Sequence, residues 1–100
     1  MQAEIILEEN DRICVSGPLT FDTVAPLRVQ GEQLMQQLAD GQVVFDLEGV
    51  TDAGSAGLSL LFCWLRRGNN LGLTVQFANL PSGLLGVAGV SGVDQLLPIG

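Results

Sequence analysis

The segment best suited to chemistry runs from Val50 to Leu58, in the order VTDAGSAGL, and places the Ser55 hydroxyl near two glycines. Ser55 has the small neighbours that surround many serine nucleophiles. The surrounding order Gly-Ser-Ala-Gly, however, does not have the G-x-S-x-G spacing of a nucleophile elbow. The chain also contains no histidine and no lysine that could activate a serine. We therefore expect no catalytic residues and no enzymatic activity.

The same segment has two further chemical interpretations, which are phosphate binding and acid–base chemistry by paired carboxylates. Small residues at the start of a helix can bind phosphate through free backbone N–H groups. Neither a G-x-x-x-x-G-K-[ST] nor a G-x-G-x-x-G motif is present, and the acidic residues Glu48 and Asp52 precede the small residues, so nucleotide binding is the weaker interpretation. Among the nearby carboxylates, we expect Asp46 to accept hydrogen bonds from the backbone of the following loop and the others to be solvated loop acids.

Composition excludes several classes of partner. Eleven acidic residues against four arginines give a net charge of -7, which argues against nucleic acid and anionic membranes and is compatible with basic protein surfaces as partners. Cys14 and Cys63 match no zinc spacing, so we expect reduced thiols, no metal and no cofactor. No basic n-region opens the chain and no apolar run is long enough to span a bilayer, which predicts a cytoplasmic protein without membrane insertion.

Hydrophobic periodicity divides the chain into short strands that alternate with helices. Turn residues 9–11 join the first two apolar segments, which predicts an antiparallel hairpin. Later strands alternate with helices, which predicts parallel neighbours and right-handed crossovers. We expect one α/β domain over residues 1–100, a mixed sheet flanked by helices in the order ββαβαβα plus a short closing element. The predicted strands are 3–8, 12–16, 42–47 and 73–77, the helices are 24–38, 56–68 and 82–89, and the closing element is 93–97.

The first helix contains three residues with specific expected roles. Asp22 or Thr23 is expected to cap its N-terminus, and Pro26 is expected in its first turn, where a missing N–H costs nothing. Gly31 lies on the apolar face, where it weakens the helix by about 1 kcal/mol relative to alanine. We interpret Gly31 as a point of close approach between this helix and the sheet.

The third strand and second helix are expected to build a protein-binding surface. Strand 42–47 shows no polar alternation, which predicts a central strand covered on both faces. In helix 56–68, Leu60 and Trp64 lie beside the main core stripe and widen the apolar arc beyond the usual core-facing width. We expect them to form a surplus apolar flank beside an exposed helix start, with Ser55 as an N-cap or first-turn residue.

Residues 46–61 resemble the signature of the STAS domain, which is shared by sulfate-transporter tails and anti-sigma factor antagonists. In that signature a strand ends in Asp-Leu-Ser-Gly-Val, and Asp-Ser-[Ser/Ala/Thr]-Gly-Leu opens a helix. Segments 60–66, 76–81 and 90–98 are also similar to the small stand-alone STAS subunits of Mla phospholipid ABC transporters. The family's fold is a mixed sheet with helices in the order given above.

The resemblance to Mla-type subunits implies a function and a set of contact residues. It implies a non-catalytic cytoplasmic subunit that binds an MlaF-like ATPase subunit, and through it the permease, in a transporter that maintains lipid asymmetry. The start of the second helix and the helix itself would then contact the ATPase. The implied partner-binding residues are Gly54, Ser55, Ala56, Gly57, Leu58, Ser59, Leu60, Cys63, Trp64 and Arg67.

The wider family leaves an alternative open, an anti-sigma factor antagonist switched by phosphorylation. Ser55 falls where the family has its phosphorylatable serine or a threonine needed for function. This sequence has Gly54 where the family usually has aspartate. We therefore interpret Ser55 first as a contact residue and second as a possible phosphosite.

Overall fold

The structure, a computed structural model, describes residues 3–9, 11–38, 41–90, 92 and 98. The predicted closing element at 93–97 lies outside this part of the chain. No helix within the described ranges has both the length and the apolar character needed to cross a membrane. The elements are β1 Glu4–Glu8, β2 Arg12–Leu19, α1 Phe21–Gln36, β3 Gln42–Ala53, α2 Ser55–Asn70, β4 Thr74–Ala78 and α3 Ser82–Val90.

The four strands form one mixed sheet in the order β1-β2-β3-β4. β1 and β2 are antiparallel, with Ile6 opposite Cys14. β2 and β3 are parallel, and so are β3 and β4, in which Phe45 lies beside Phe77. This arrangement confirms the predicted hairpin followed by parallel strands.

β2 and β3 are longer than predicted and remain paired as far as Leu19 and Ala53. β2 was predicted to end at Ser16, but a register shift between Gly17 and Pro18 lets pairing continue. At Gly49 the strands approach so closely that an added Cβ would lie 2.7 Å from the Ser16 Cβ. As a result, most of the segment expected to be a loop before α2 belongs to β3.

α1 begins earlier than predicted, which changes the roles of its first residues. Thr20, not Asp22 or Thr23, is the N-cap. The Thr23 hydroxyl accepts a hydrogen bond from the Thr20 N–H at 2.9 Å and donates one to the Pro18 carbonyl at 2.8 Å. Pro26 consequently lies in the second turn rather than the first, where its ring removes one bond of the helix.

All three helices contribute to one hydrophobic core on a single face of the sheet. Alternate residues of the inner strands, such as Val43 and Phe45, are fully buried on that face. On the opposite face, β3 places Val44 half-buried, Glu48 exposed and the polar Asp46 buried. The prediction that β3 is covered on both faces is therefore wrong for the described part of the chain, because the helices cover only one face.

Trp64 lies at the centre of the core rather than at its edge. Its ring is fully buried and stacks on Phe45, with ring centroids 4.4 Å apart and planes 7° from parallel. Its indole N–H points to the backbone carbonyl of Arg28 in α1, at 3.4 Å. An added Cβ on Gly31 would lie 2.6 Å from the Trp64 Cε2 and nearer still to Nε1, so α1 approaches this tryptophan of α2, not the sheet as predicted.

Candidate protein-binding site

The start of α2 presents Ser55 to solvent. Gly54 is the N-cap and Ser55 is the first residue of the helix, so the first-turn expectation for Ser55 is confirmed and the N-cap expectation is wrong. The Gly54 carbonyl accepts the first helical bond, from the Leu58 N–H at 3.0 Å. A Cβ added to Gly54 would meet no atom within 4 Å, so contact with neighbouring atoms is not the reason for a glycine here.

The small residues that follow Ser55 face inward. Ala56 and Leu58 are buried, and so is Gly57 between them. A Cβ on Gly57 would lie 3.2 Å from both the Ala53 Cβ and a methyl group of Leu84. Gly57 therefore allows α2 to rest against β3 and α3, and a bulky residue there would disturb the core.

The ten predicted partner-binding residues divide between surface and interior. The apolar arc of α2 is wide because the helix packs against both the sheet and α1. The expectation of a surplus apolar flank did not take packing against α1 into account. The prediction that Leu60 and Trp64 form an exposed flank is wrong, because they are 2% and 0% exposed. The interior residues are Ala56, Gly57, Leu58, Leu60 and Trp64, and those that reach the surface are Gly54, Ser55, Ser59, Cys63 and Arg67.

A groove between α1 and α2 runs along this surface, and we call it the α1–α2 groove. Its first part has a volume of about 300 Å³ and a largely apolar lining. Phe21, at the start of α1, is the most exposed aromatic residue here, with 83% of its surface accessible. The lining residues are Phe21, Val24, Ala25, Arg28, Ala56, Ser59, Leu60 and Cys63.

The second part of the α1–α2 groove is basic and has a volume of about 210 Å³. Arg28 and Cys63 line both parts, so the two parts are adjacent. Arg28 forms a 3.1 Å salt bridge with Glu32, one turn further along α1. The lining residues of this part are Arg28, Glu32, Cys63, Arg66, Arg67 and Asn70.

The α1 wall of the groove was missed from the sequence. Phe21, Val24, Ala25 and Arg28 recur at i, i+3, i+4 and i+7, the spacing of one helical face. Placing the helix start at 24 left Phe21 in a connection and hid this stripe. With Thr20 as the N-cap, the same periodicity would have identified a second amphipathic face.

Asp46 has the structural role expected of it, although it lies within β3 and not at its end. One carboxylate oxygen accepts hydrogen bonds from the Glu48 N–H at 3.0 Å and the Asn79 amide at 2.9 Å. The other forms a salt bridge with Arg12 at 2.6 Å. Partial burial alone would raise the pKa of Asp46, but these bonds outweigh it and hold the pKa below its usual value. A carboxylate held ionised in this way is poorly suited to general acid chemistry.

The Cys14 thiol is held in its protonated form, which is a poor nucleophile. Its thiol donates a 3.0 Å hydrogen bond to the Glu8 carboxylate. That bond, together with partial burial and the negative charge of Glu8, raises the pKa of Cys14 to about 11. Both Cys14 and Cys63 are free thiols, as predicted.

Removing the Glu8 charge is therefore expected to activate Cys14. In a Cys63→Ser background, we expect Glu8→Gln to raise the rate of iodoacetamide alkylation at pH 8 by about tenfold, since one pKa unit is tenfold in thiolate. Glu4→Gln, which removes an exposed charge from the same strand, is the matched control and should leave the rate unchanged. Equal rates in the two variants would show that Glu8 does not control this thiol.

Comparisons with known proteins agree with this architecture. A family model described as "Mlab, STAS domain" matches residues 5–98 of the chain. A search of curated protein sequences found no significant match.

Three solved structures resemble the chain closely in fold but only weakly in sequence. The anti-sigma factor antagonist SpoIIAA in its unphosphorylated form is 15% identical, with a TM-score of 0.72 over 98% of this chain and 87% of that one. An anti-sigma-factor antagonist (STAS) domain protein from Planctomyces limnophilus is 21% identical, with a TM-score of 0.70 over 99% and 89%. The Bacillus cell fate determinant SpoIIAA in its phosphorylated form is 15% identical, with a TM-score of 0.69 over 98% and 90%. At these identities the likenesses establish the fold.

Proposed function

Because the chain belongs to the family described as Mlab, STAS domain, we propose that it is a non-catalytic STAS subunit of a phospholipid ABC transporter. The observation that carries this proposal is the family match, which extends over residues 5–98. In the proposed complex the chain lies on the cytoplasmic side, binds the ATPase subunit directly and reaches the permease only through it. Its effect is on the assembly and activity of the ATPase, in a transporter that maintains lipid asymmetry.

The exposed surface of the two helices supports a docking role. Ser55 and Ser59 are exposed on α2, and across the α1–α2 groove Phe21 is 83% exposed. An accessible aromatic side chain beside a groove is the kind of residue that anchors protein interfaces. The ATPase would therefore contact both helices, with the buried core of α2 acting as a rigid support.

The proposed mechanism requires no chemistry by this chain. A subunit that binds one conformation or assembly state of the ATPase more tightly than another shifts the population toward that state. Binding to the folded ATPase also stabilises it against unfolding by mass action. Either effect increases the amount of active transporter without any catalytic residue in the STAS subunit.

A single charge at the start of α2 is expected to weaken the complex. Ser55→Asp places a carboxylate where the helix dipole tolerates it, so the fold should not suffer, but the charge must be desolvated in the complex. We expect co-purification of the ATPase to fall by about tenfold, and Ser55→Ala to have a milder effect. The measurement is the ATPase retained by the tagged chain after co-expression.

The matched control is Gln76→Glu, which adds the same charge to an exposed side chain of β4 on the open face of the sheet. It should retain the ATPase as the unmodified chain does. Equal retention by Ser55→Asp, Ser55→Ala and Gln76→Glu would show that the start of α2 is not the docking surface.

A second candidate function is that of an anti-sigma factor antagonist. The fold likeness to SpoIIAA in both phosphorylation states, and the exposure of Ser55 at a helix start, favour this alternative. It requires Ser55 to be phosphorylated in cells. A phosphate-affinity gel that shows a stoichiometric shift, lost in Ser55→Ala, would favour it over the transporter role, whereas an unshifted band would reject it.

A further inference from the structure

The arginines of this acidic chain are unevenly distributed. The net charge is -7 and there are only four arginines. Arg12 lies on the open face of the sheet and forms a salt bridge with Asp46. The other three, Arg28, Arg66 and Arg67, all line the basic part of the α1–α2 groove. The groove is therefore the place where this acidic molecule concentrates positive charge.

Two of these three arginines have unused capacity to bind an anion. Arg28 forms a salt bridge with Glu32, which also lines the groove and cancels one positive charge. Within the described residues, Arg66 and Arg67 form no salt bridge. The Nε–H of Arg67 is enclosed and has no hydrogen-bond partner in that part of the chain. A buried donor without a partner is costly, and the charged guanidinium groups of Arg66 and Arg67, which line the groove, can bind carboxylates.

The groove changes character along its length. Phe21 and Val24 line its apolar end, and Arg66 and Arg67 line its basic end. Early residues of α1 face early residues of α2, and later residues face later ones, so the helices run in the same direction along the groove. From Phe21 to Glu32 the α1 wall is about 16 Å long at 1.5 Å per residue, which matches about three turns of a partner helix.

From these observations we infer that the α1–α2 groove binds an acidic amphipathic helix of a protein partner. Apolar side chains of that helix lie beside Phe21, and its aspartates or glutamates lie beside Arg66 and Arg67. Charge complementarity selects this occupant, because an acidic helix meets the only concentration of positive charge among the described residues. The inference deepens the proposed function and rests on it for the identity of the partner, which would be the ATPase.

An anionic membrane surface is a poorer match for the same residues. The positive charge lies in a concave groove, and the chain as a whole is acidic, with a net charge of -7. A flat anionic surface would approach the acidic exterior as well as the arginines and would be repelled by it.

Photo-crosslinking in cells tests which molecule occupies the groove. Ser59 is exposed and lines the apolar part, so benzoylphenylalanine at this position reports on the occupant. The same probe at Gln76, on the open face of the sheet, is the control. The cross-linked peptide is identified by mass spectrometry, and each variant is checked for folding by circular dichroism.

The expected product forms from position 59 and not from position 76. Its peptide carries more Asp and Glu than Lys and Arg, with apolar residues at helical spacing. Adding Arg66→Glu lowers the yield by about tenfold, and Arg66→Gln lowers it less. A neutral or basic peptide, a lipid adduct, no product specific to position 59, or a yield unchanged by Arg66→Glu would overturn the inference.

The identity of the cross-linked protein separates this inference from the proposed function. An acidic amphipathic segment from a protein other than an ABC ATPase would support the groove assignment and contradict the transporter role. Co-purification of the ATPase without an acidic segment at position 59 would support the transporter role and overturn the groove assignment.

Discussion

Replacing Trp64 with alanine is expected to lower the free energy of unfolding by about 3–5 kcal/mol. The side chain is fully buried, stacks on Phe45 and directs its N–H to the Arg28 carbonyl. Its loss leaves a cavity where α1, α2 and the sheet meet. Small domains are typically stable by only about 5–15 kcal/mol, so this single change removes a large share of the total. Urea unfolding monitored by circular dichroism measures the effect.

Phe21→Ala is the matched control for Trp64→Ala. It also truncates an aromatic helix residue, but one that is 83% exposed, and its effect on stability should stay within about 0.5 kcal/mol. Should Trp64→Ala unfold at the same urea concentration as the unmodified chain, the central position of Trp64 would be wrong. Because Trp64 supports the core, any loss of partner binding in Trp64→Ala must be attributed to loss of the fold.

The second large effect is expected from Phe21→Ala on binding to the proposed partner, the ATPase subunit. A side chain that is exposed in the free chain and enclosed in a complex contributes through burial, and aromatic anchors of this kind contribute about 2 kcal/mol or more. We therefore expect the dissociation constant to rise by about thirtyfold. Isothermal titration calorimetry with the purified ATPase subunit measures it.

Val90→Ala provides the comparison for Phe21→Ala. Val90 is 92% exposed at the end of α3 and does not line the α1–α2 groove. Truncating it removes exposed apolar surface elsewhere on the molecule, and the dissociation constant should not change. If both variants bound the ATPase as tightly as the unmodified chain, the groove would not be part of the interface.

Periodicity and turn chemistry were sufficient to predict the order of the elements and the hairpin. They failed at the ends of β2 and β3, because pairing continues past the predicted ends at Ser16 and Leu47 as far as Leu19 and Ala53. Composition alone cannot show that a shift in register accommodates Gly17 and Pro18 within the strand, because the shift depends on the partner strand. Gly49 permits the close approach to Ser16 that keeps the two strands paired.

The wide apolar arc of α2 shows what the periodicity of one helix cannot predict. The periodicity identified Leu60 and Trp64 as apolar but could not say which neighbour covers them. The covering surface is α1, which reaches Trp64 because Gly31 has no side chain. Gly31 was recognised as a point of close approach, but pairing it with Trp64 required knowledge of how the two helices cross.

The candidate site was predicted in part. Ser55 and Ser59 were placed on the surface of α2, where the structure has them. The facing wall was missed because the start of α1 was placed three residues late, which removed Phe21 from the helix. The hydrogen bond between the Thr20 N–H and the Thr23 hydroxyl is a local feature of the helix start. The two threonines could therefore have indicated this start from the sequence alone.

The most direct test of the transporter role is a calorimetric titration of this chain into the ATPase subunit of a phospholipid ABC transporter from the same organism. Saturable binding is expected, weakened by Ser55→Asp and by Phe21→Ala but not by Gln76→Glu. Absence of binding to the ATPase, together with binding of the chain to an anti-sigma factor of that organism, would contradict the transporter role.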